Sequence, residues 1–137
     1  MKDSIFLKLV LAIDALVAIA IGATIQLSPA DFYAMNHIDI GTNSNLLSEI
    51  CAPAMALLSY GILILVGTFI SRLTFTATLL ASTFYLSYSV ARLVSIGIDG
   101  LPSESLITAA AIEITLGLTS LFCLWKYTNI PNLGGQQ

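Results

Sequence analysis

Four apolar runs leave this chain few ways to fold. They cover roughly residues 4–27, 46–70, 73–98 and 105–125. A membrane-crossing helix needs about 20 mostly apolar residues at 1.5 Å rise per residue, and each run meets that length. A soluble domain carries roughly a quarter charged residues. Here only 9% are charged and 57% are hydrophobic, with a mean hydropathy of +0.92. The 137 residues have room for one domain, 1–137. The expected fold class is all-α, an integral membrane four-helix antiparallel bundle.

The basic residues orient that bundle. Lys2 and Lys8 begin the first run, Arg72 sits in the joint between the second and third, and Lys126 follows the fourth. The other two connections, 28–45 and 99–104, contain no Lys or Arg. This positive-inside pattern predicts both termini in the cytoplasm. The net charge of −3 gives no basic surface for nucleic acid and no polybasic patch for anionic lipid heads. The first run is too long for a signal-peptide core and carries Asp14 in its middle, so it reads as a retained helix. Cys51 and Cys123 fall near opposite membrane faces, roughly 25 Å apart by helix rise. A disulfide needs Cα atoms within about 7 Å, and two lone thiols make neither a zinc nor an iron–sulfur site. No metal and no resident cofactor is expected.

Local signals place the connections. Ala12, Ala15, Ala18 and Gly22 make helix one rich in small residues that let backbones approach in lipid. Ser28-Pro29-Ala30-Asp31 carries helix-start signals, and Phe32, Tyr33 and Met35 suit a short interfacial helix over about 29–35. Pro53 frees the Glu49 carbonyl early in helix two and predicts a kink or local opening there. Only Ser71-Arg72 joins helices two and three, which forces an antiparallel hairpin. Helix three is the most polar span, with many Ser and Thr, so its neighbours are expected to shield it from lipid. Asp99-Gly100 is a turn and Ser103 an N-cap. Trp125 and Tyr127 mark the inner interface, and the tail 131–137 is expected to be flexible.

Function is to be sought at the charges within the spans: Asp14, Glu49, Arg92 and Glu113. Each costs about 2.5–3.5 kcal/mol at the bilayer centre on insertion scales, so partners are expected. Helix rise puts Glu49, Arg92 and Glu113 about 5, 9 and 12 Å inside the outer boundary. An Arg92–Glu113 pair is predicted, with Glu49 as second acceptor or pocket wall, because a guanidinium can fork onto one carboxylate and still donate elsewhere. Tyr85, Tyr88, Arg92 and Ser95 share one helix face. One reading is an outward-opening polar pocket lined by Glu49, Tyr85, Tyr88, Arg92 and Glu113. The other is a structural ion-pair network stapling three helices. Asp14, nearer the midplane, is either hydrogen-bonded to Ser or Thr or proton-active as a relay. His37 is a lone loop histidine that offers at most one metal ligand. No catalytic Ser-His-Asp set, phosphate loop or dinucleotide fingerprint is present.

Some of these residues also carry a resemblance. Glu49 and Ala52 open helix two, and Arg92, Asp99-Gly100-Leu101-Pro102 and Glu113 form a second signature late in the chain. In this the chain resembles the small bacterial membrane proteins grouped as domain of unknown function 4345, near the DoxX-like four-helix proteins. Cys51 stands where that family carries an Arg, and Ala54-Met55-Ala56 replaces its Tyr-Gly-Gly. The resemblance implies a four-helix bundle in a bacterial inner (plasma) membrane and brings no established activity. Three functions are carried forward. The first is an accessory or assembly subunit that packs against partner membrane helices or self-associates. The second is a lipid- or quinone-binding protein, or a small membrane enzyme, using the Arg/Glu pocket. The third is a proton-coupled carrier using Asp14 and Glu113.

Overall fold

A computed structural model describes residues 4–128. It contains five helices: α1 (Ile5–Leu27), α2 (Pro29–Ala34), α3 (Ser44–Phe69), α4 (Thr74–Asp99) and α5 (Glu104–Thr128). No strand occurs among the described residues. The four long helices are each apolar and long enough to cross a membrane, which makes this a multi-pass membrane protein. They alternate in direction. One end of the bundle therefore carries Ser4, the α3–α4 turn with Arg72, and Thr128; the other carries α2 and the α4–α5 turn. The expected flexible tail and Lys2 lie outside the described residues.

Each boundary has a local cause. Ser28 serves two helices: its N–H closes α1 on the Thr24 carbonyl, and its own carbonyl accepts the first bond of α2 from Phe32. Pro29 follows at the first helical position, where a missing N–H costs nothing. Helix α2 ends with His37 in the left-handed region at φ 61°. The His37 and Ile38 N–H groups turn back onto the Ala34 and Tyr33 carbonyls, the paired bonds of a helix-ending Schellman turn. No group of three or more His, Cys, Asp or Glu side chains placed to hold a metal ion occurs among the described residues. The Asn43 side chain accepts from the Asn45 and Leu46 N–H groups and caps α3. Helix α3 then runs unbroken through Pro53. At the tight α3–α4 turn the Thr74 hydroxyl donates to the Gly67 carbonyl at 3.0 Å, meeting an acceptor that the end of α3 leaves open. Gly100 stops α4 at φ 95°, ψ −175°, a conformation essentially confined to glycine.

Glycine sets how closely the helices meet. A side chain at Gly22 would stand 2.7 Å from the Leu58 backbone nitrogen, and one at Gly61 would stand 2.9 Å from the backbone nitrogen of Ile19. The backbones of α1 and α3 are thus pressed together from both sides. Gly117 of α5 meets Leu86 of α4 in the same way. The bundle is built as two tight pairs, α1 with α3 and α4 with α5. Ala18 and Gly22, read from sequence as a packing face, are used inside the chain rather than left for a partner.

Between the pairs, the end carrying the termini is filled. Leu7, Leu11, Ala15, Ile64, Ala81 and Cys123 are fully buried there and form one cluster with Val10, Ala77 and Tyr127. The Tyr127 hydroxyl donates to the Ser4 hydroxyl at 3.0 Å and ties the first helix to the last. Cys51 and Cys123 are both free thiols.

The polar span is sheltered on one face, where Thr74, Thr78, Ser82, Tyr85 and Ser89 of α4 are buried. Helix α4 buries no larger share of its most apolar stretch than α5 does, 22% each. Thr76, Thr83 and Ser87 are exposed. Intrahelical bonding explains part of the difference. The exposed Ser87 hydroxyl donates to the Thr83 carbonyl four residues earlier, so it needs no neighbouring helix.

Candidate functional site

At the α2 end the two helix pairs part around a cavity of about 460 Å³. All five helices supply its wall, the four long ones through residues about one helical turn apart. Helix α1 gives Val17, Ile21 and Ile25; α3 gives Ile50, Pro53, Ala54 and Leu57. From α4 come Phe84, Tyr85, Tyr88 and Arg92, and from α5 Leu106, Ala109, Ile112 and Glu113. Helix α2 and the turn after it close the rim with Phe32, Tyr33, Asn36 and Ile38. The residues from Val17 to Ile25 rise about 12 Å along α1, less than half of the ~30 Å hydrocarbon thickness. The wall is mostly aliphatic, with one aromatic flank. Phe84 stands at its centre, 4.7 Å from the Tyr88 ring, 5.5 Å from Tyr85 and 5.6 Å from Tyr60 between centroids.

The one charged feature of this wall is an ion pair. Arg92 Nε donates to Glu113 Oε2 at 2.7 Å, and Nη2 donates to Oε1 at 3.0 Å. This two-toothed fork is the strong geometry for guanidinium and carboxylate. The Arg92 side chain remains 31% exposed and Glu113 13%. Two of the five guanidinium N–H groups face Glu113; the other three have no protein acceptor among the described residues. The sequence-predicted members Tyr85, Tyr88, Arg92 and Glu113 therefore meet on one cavity.

Glu49 does not join them. It is exposed on α3, and its neighbour Ile50 faces the cavity instead. Helix rise placed it at a suitable depth, but depth says nothing about azimuth, and one residue turns a helix by about 100°. Tyr85 faces two ways. Its ring lines the cavity while its hydroxyl donates to the Asp14 backbone carbonyl at 2.6 Å.

Asp14 forms a separate centre. It is wholly buried, it is not part of the cavity wall, and Ser120 Oγ donates to its Oδ2 at 2.5 Å. Its Oδ1 is buried with no partner among the described residues. A hydrogen bond from a Ser or Thr was one of the two readings of this carboxyl, and Ser120 of α5 provides it. The bond couples the first span to the last at mid-height.

Several cavity residues escape sequence reasoning. Val17, Ile21, Leu106 and Ile112 are apolar in a helix that is apolar on every side, so no hydropathy signal distinguishes a cavity face from a lipid face. Phe32 and Tyr33 read as an interfacial belt, and nothing in their spacing shows that they cover a cavity. The spacing of Phe84 and Tyr88, four apart, was an available signal for the aromatic flank.

No curated protein and no solved structure matches the chain. Residues 6–124 match the family described as Domain of unknown function (DUF4345). That stretch takes in all four long helices, the cavity and the Arg92–Glu113 pair, and the chain belongs to this family.

Proposed function

We propose that the protein binds a small lipophilic molecule, a lipid or quinone, in the cavity between its two helix pairs. The observation that carries this reading is the half-open Arg92–Glu113 fork in an otherwise apolar wall. A pair serving only to staple helices gains most when it is sealed and every donor is met. Here the guanidinium keeps three donors for something else. Clefts of roughly 300–1,000 Å³ with few polar groups in an apolar lining are the usual form of small-molecule sites. The run of Lys8, Arg72 and Lys126 at one end supports a cytoplasmic position for both termini in a bacterial inner membrane, with the cavity in the outer half.

Native mass spectrometry of protein extracted gently from its own membrane tests this directly. A defined small molecule should accompany the wild type and be lost from Ala109→Phe, which puts a ring into the cavity. Arg92→Ala should also lose it while remaining folded. If the molecule persists in Ala109→Phe, it sits elsewhere and the cavity reading fails.

A second reading, an accessory subunit packed against partner helices or a second copy, is favoured by the exposed hydroxyl stripe Thr76–Thr83–Ser87 on α4. Small and hydroxyl residues are what helix–helix interfaces in lipid prefer. The same spectra separate the two readings. Extra protein mass that Ser87→Leu removes would support a subunit; a lone chain with a small molecule would not.

A further inference from the structure

The ion pair also limits what the cavity can accept. We infer that its ligand is an uncharged hydrophobe carrying a hydrogen-bond acceptor oxygen, a ketone or related carbonyl, rather than a fatty-acid anion or an amine. This rests on the binding reading above and narrows it. The charges facing the cavity cancel: Arg92 is forked by Glu113 at 2.7 and 3.0 Å, and no other charged residue lines the wall. An anion brought to Arg92 would also meet Glu113, and a cation brought to Glu113 would meet Arg92. Either ion would surrender its hydration in an apolar cavity without an uncompensated partner, which is the costly case.

The spare hydrogen-bonding capacity of the ion pair leans towards donors, with three guanidinium N–H groups left against one remaining acceptor site on each Glu113 oxygen. Both Glu113 oxygens already accept from Arg92. Three Arg92 N–H groups and the Tyr88 hydroxyl have no acceptor among the described residues, and neither side chain has a polar atom sealed in the packing. Donors are in surplus, so the complementary ligand brings an acceptor. The Phe84–Tyr88 flank and the aliphatic face opposite accommodate its apolar body. The cavity rises only about 12 Å, so that body is short compared with a whole membrane lipid.

Three chain-matched probes decide it: 2-undecanone, undecanoate and undecylammonium, titrated by calorimetry into the full chain in nanodiscs at pH 8. Signal that persists in Ala109→Phe is subtracted as partition into the bilayer. The ketone should bind at least tenfold more tightly than either ion. Glu113→Gln removes the counter-charge and should move the preference at least tenfold toward undecanoate. The wild-type ranking stands without that variant, should it not fold. Saturable binding led by undecanoate or undecylammonium would overturn the neutral-ligand inference and leave the binding reading in place. No saturable signal from any probe would instead remove the binding reading itself, and this inference with it.

Discussion

Leu11 and Leu57 sit on adjacent helices, Leu11 in the filled cluster and Leu57 on the cavity wall at mid-span, and they report two kinds of interior. Around Leu11, at the end carrying the termini, side chains interlock until Leu7, Ile64 and Cys123 have no exposed surface. Around Leu57 the same helices border a cavity of about 460 Å³. What differs is which helix faces meet. Near the termini, the two pairs close through Tyr127 on Ser4 and Ser120 on Asp14. Towards α2 the Arg92–Glu113 ion pair stays within the α4–α5 pair, and a six-residue helix covers the gap between the two pairs. Lipid offers no hydrophobic drive for helices to collapse, so contact must come from packing and polar bonds. An interior can therefore stay hollow where no polar bond draws the two pairs together.

Variants at each end should respond unequally. Leu11→Ala opens a void where none exists and should cost about 3 kcal/mol in reversible unfolding. Leu57→Ala only enlarges a cavity already present and should cost about 1 kcal/mol, since little new void is created. Equal costs would erase the contrast between the two ends. Between these lies Ser120→Ala, which strips Asp14 of its hydrogen bond and should cost about 2 kcal/mol. Removing both partners, Ser120→Ala with Asp14→Ala, should recover part of that loss; a strictly additive double variant would mean the bond contributes nothing. The smallest effect belongs to the rim. His37→Gly relieves a left-handed residue and should stabilise by about 0.5–1 kcal/mol with ligand binding unchanged.

How far these two ends can be read from sequence follows from the chemistry of their residues. The spans were legible because 20 apolar residues in a row have few other uses, and the antiparallel order followed from connections too short for anything else. Arg92 with Glu113 was legible because a charge in lipid must find its opposite. Glu49 misled because the same logic fixes depth and not direction. The shielding of α4 holds on one face only, where Thr74, Thr78 and Ser82 are buried, because a hydroxyl can satisfy itself on its own helix and polarity alone does not demand a neighbour. The cavity was illegible for a further reason: its aliphatic wall and the lipid-facing surface select the same residues.

The bond between Asp14 and Ser120 joins residues 106 positions apart. During synthesis at about 5–20 residues per second, roughly 5–20 s pass between their emergence. Through that interval the first helix holds a carboxyl in or near the membrane with its eventual partner not yet made, a burden of about 2.5–3.5 kcal/mol at the bilayer centre. The surrounding run of Leu, Ile, Val and Ala in α1 outweighs it, so the helix can enter alone. The first span is thus completed by the last: only when Ser120 is in place does the Asp14 carboxyl gain its side-chain hydrogen bond.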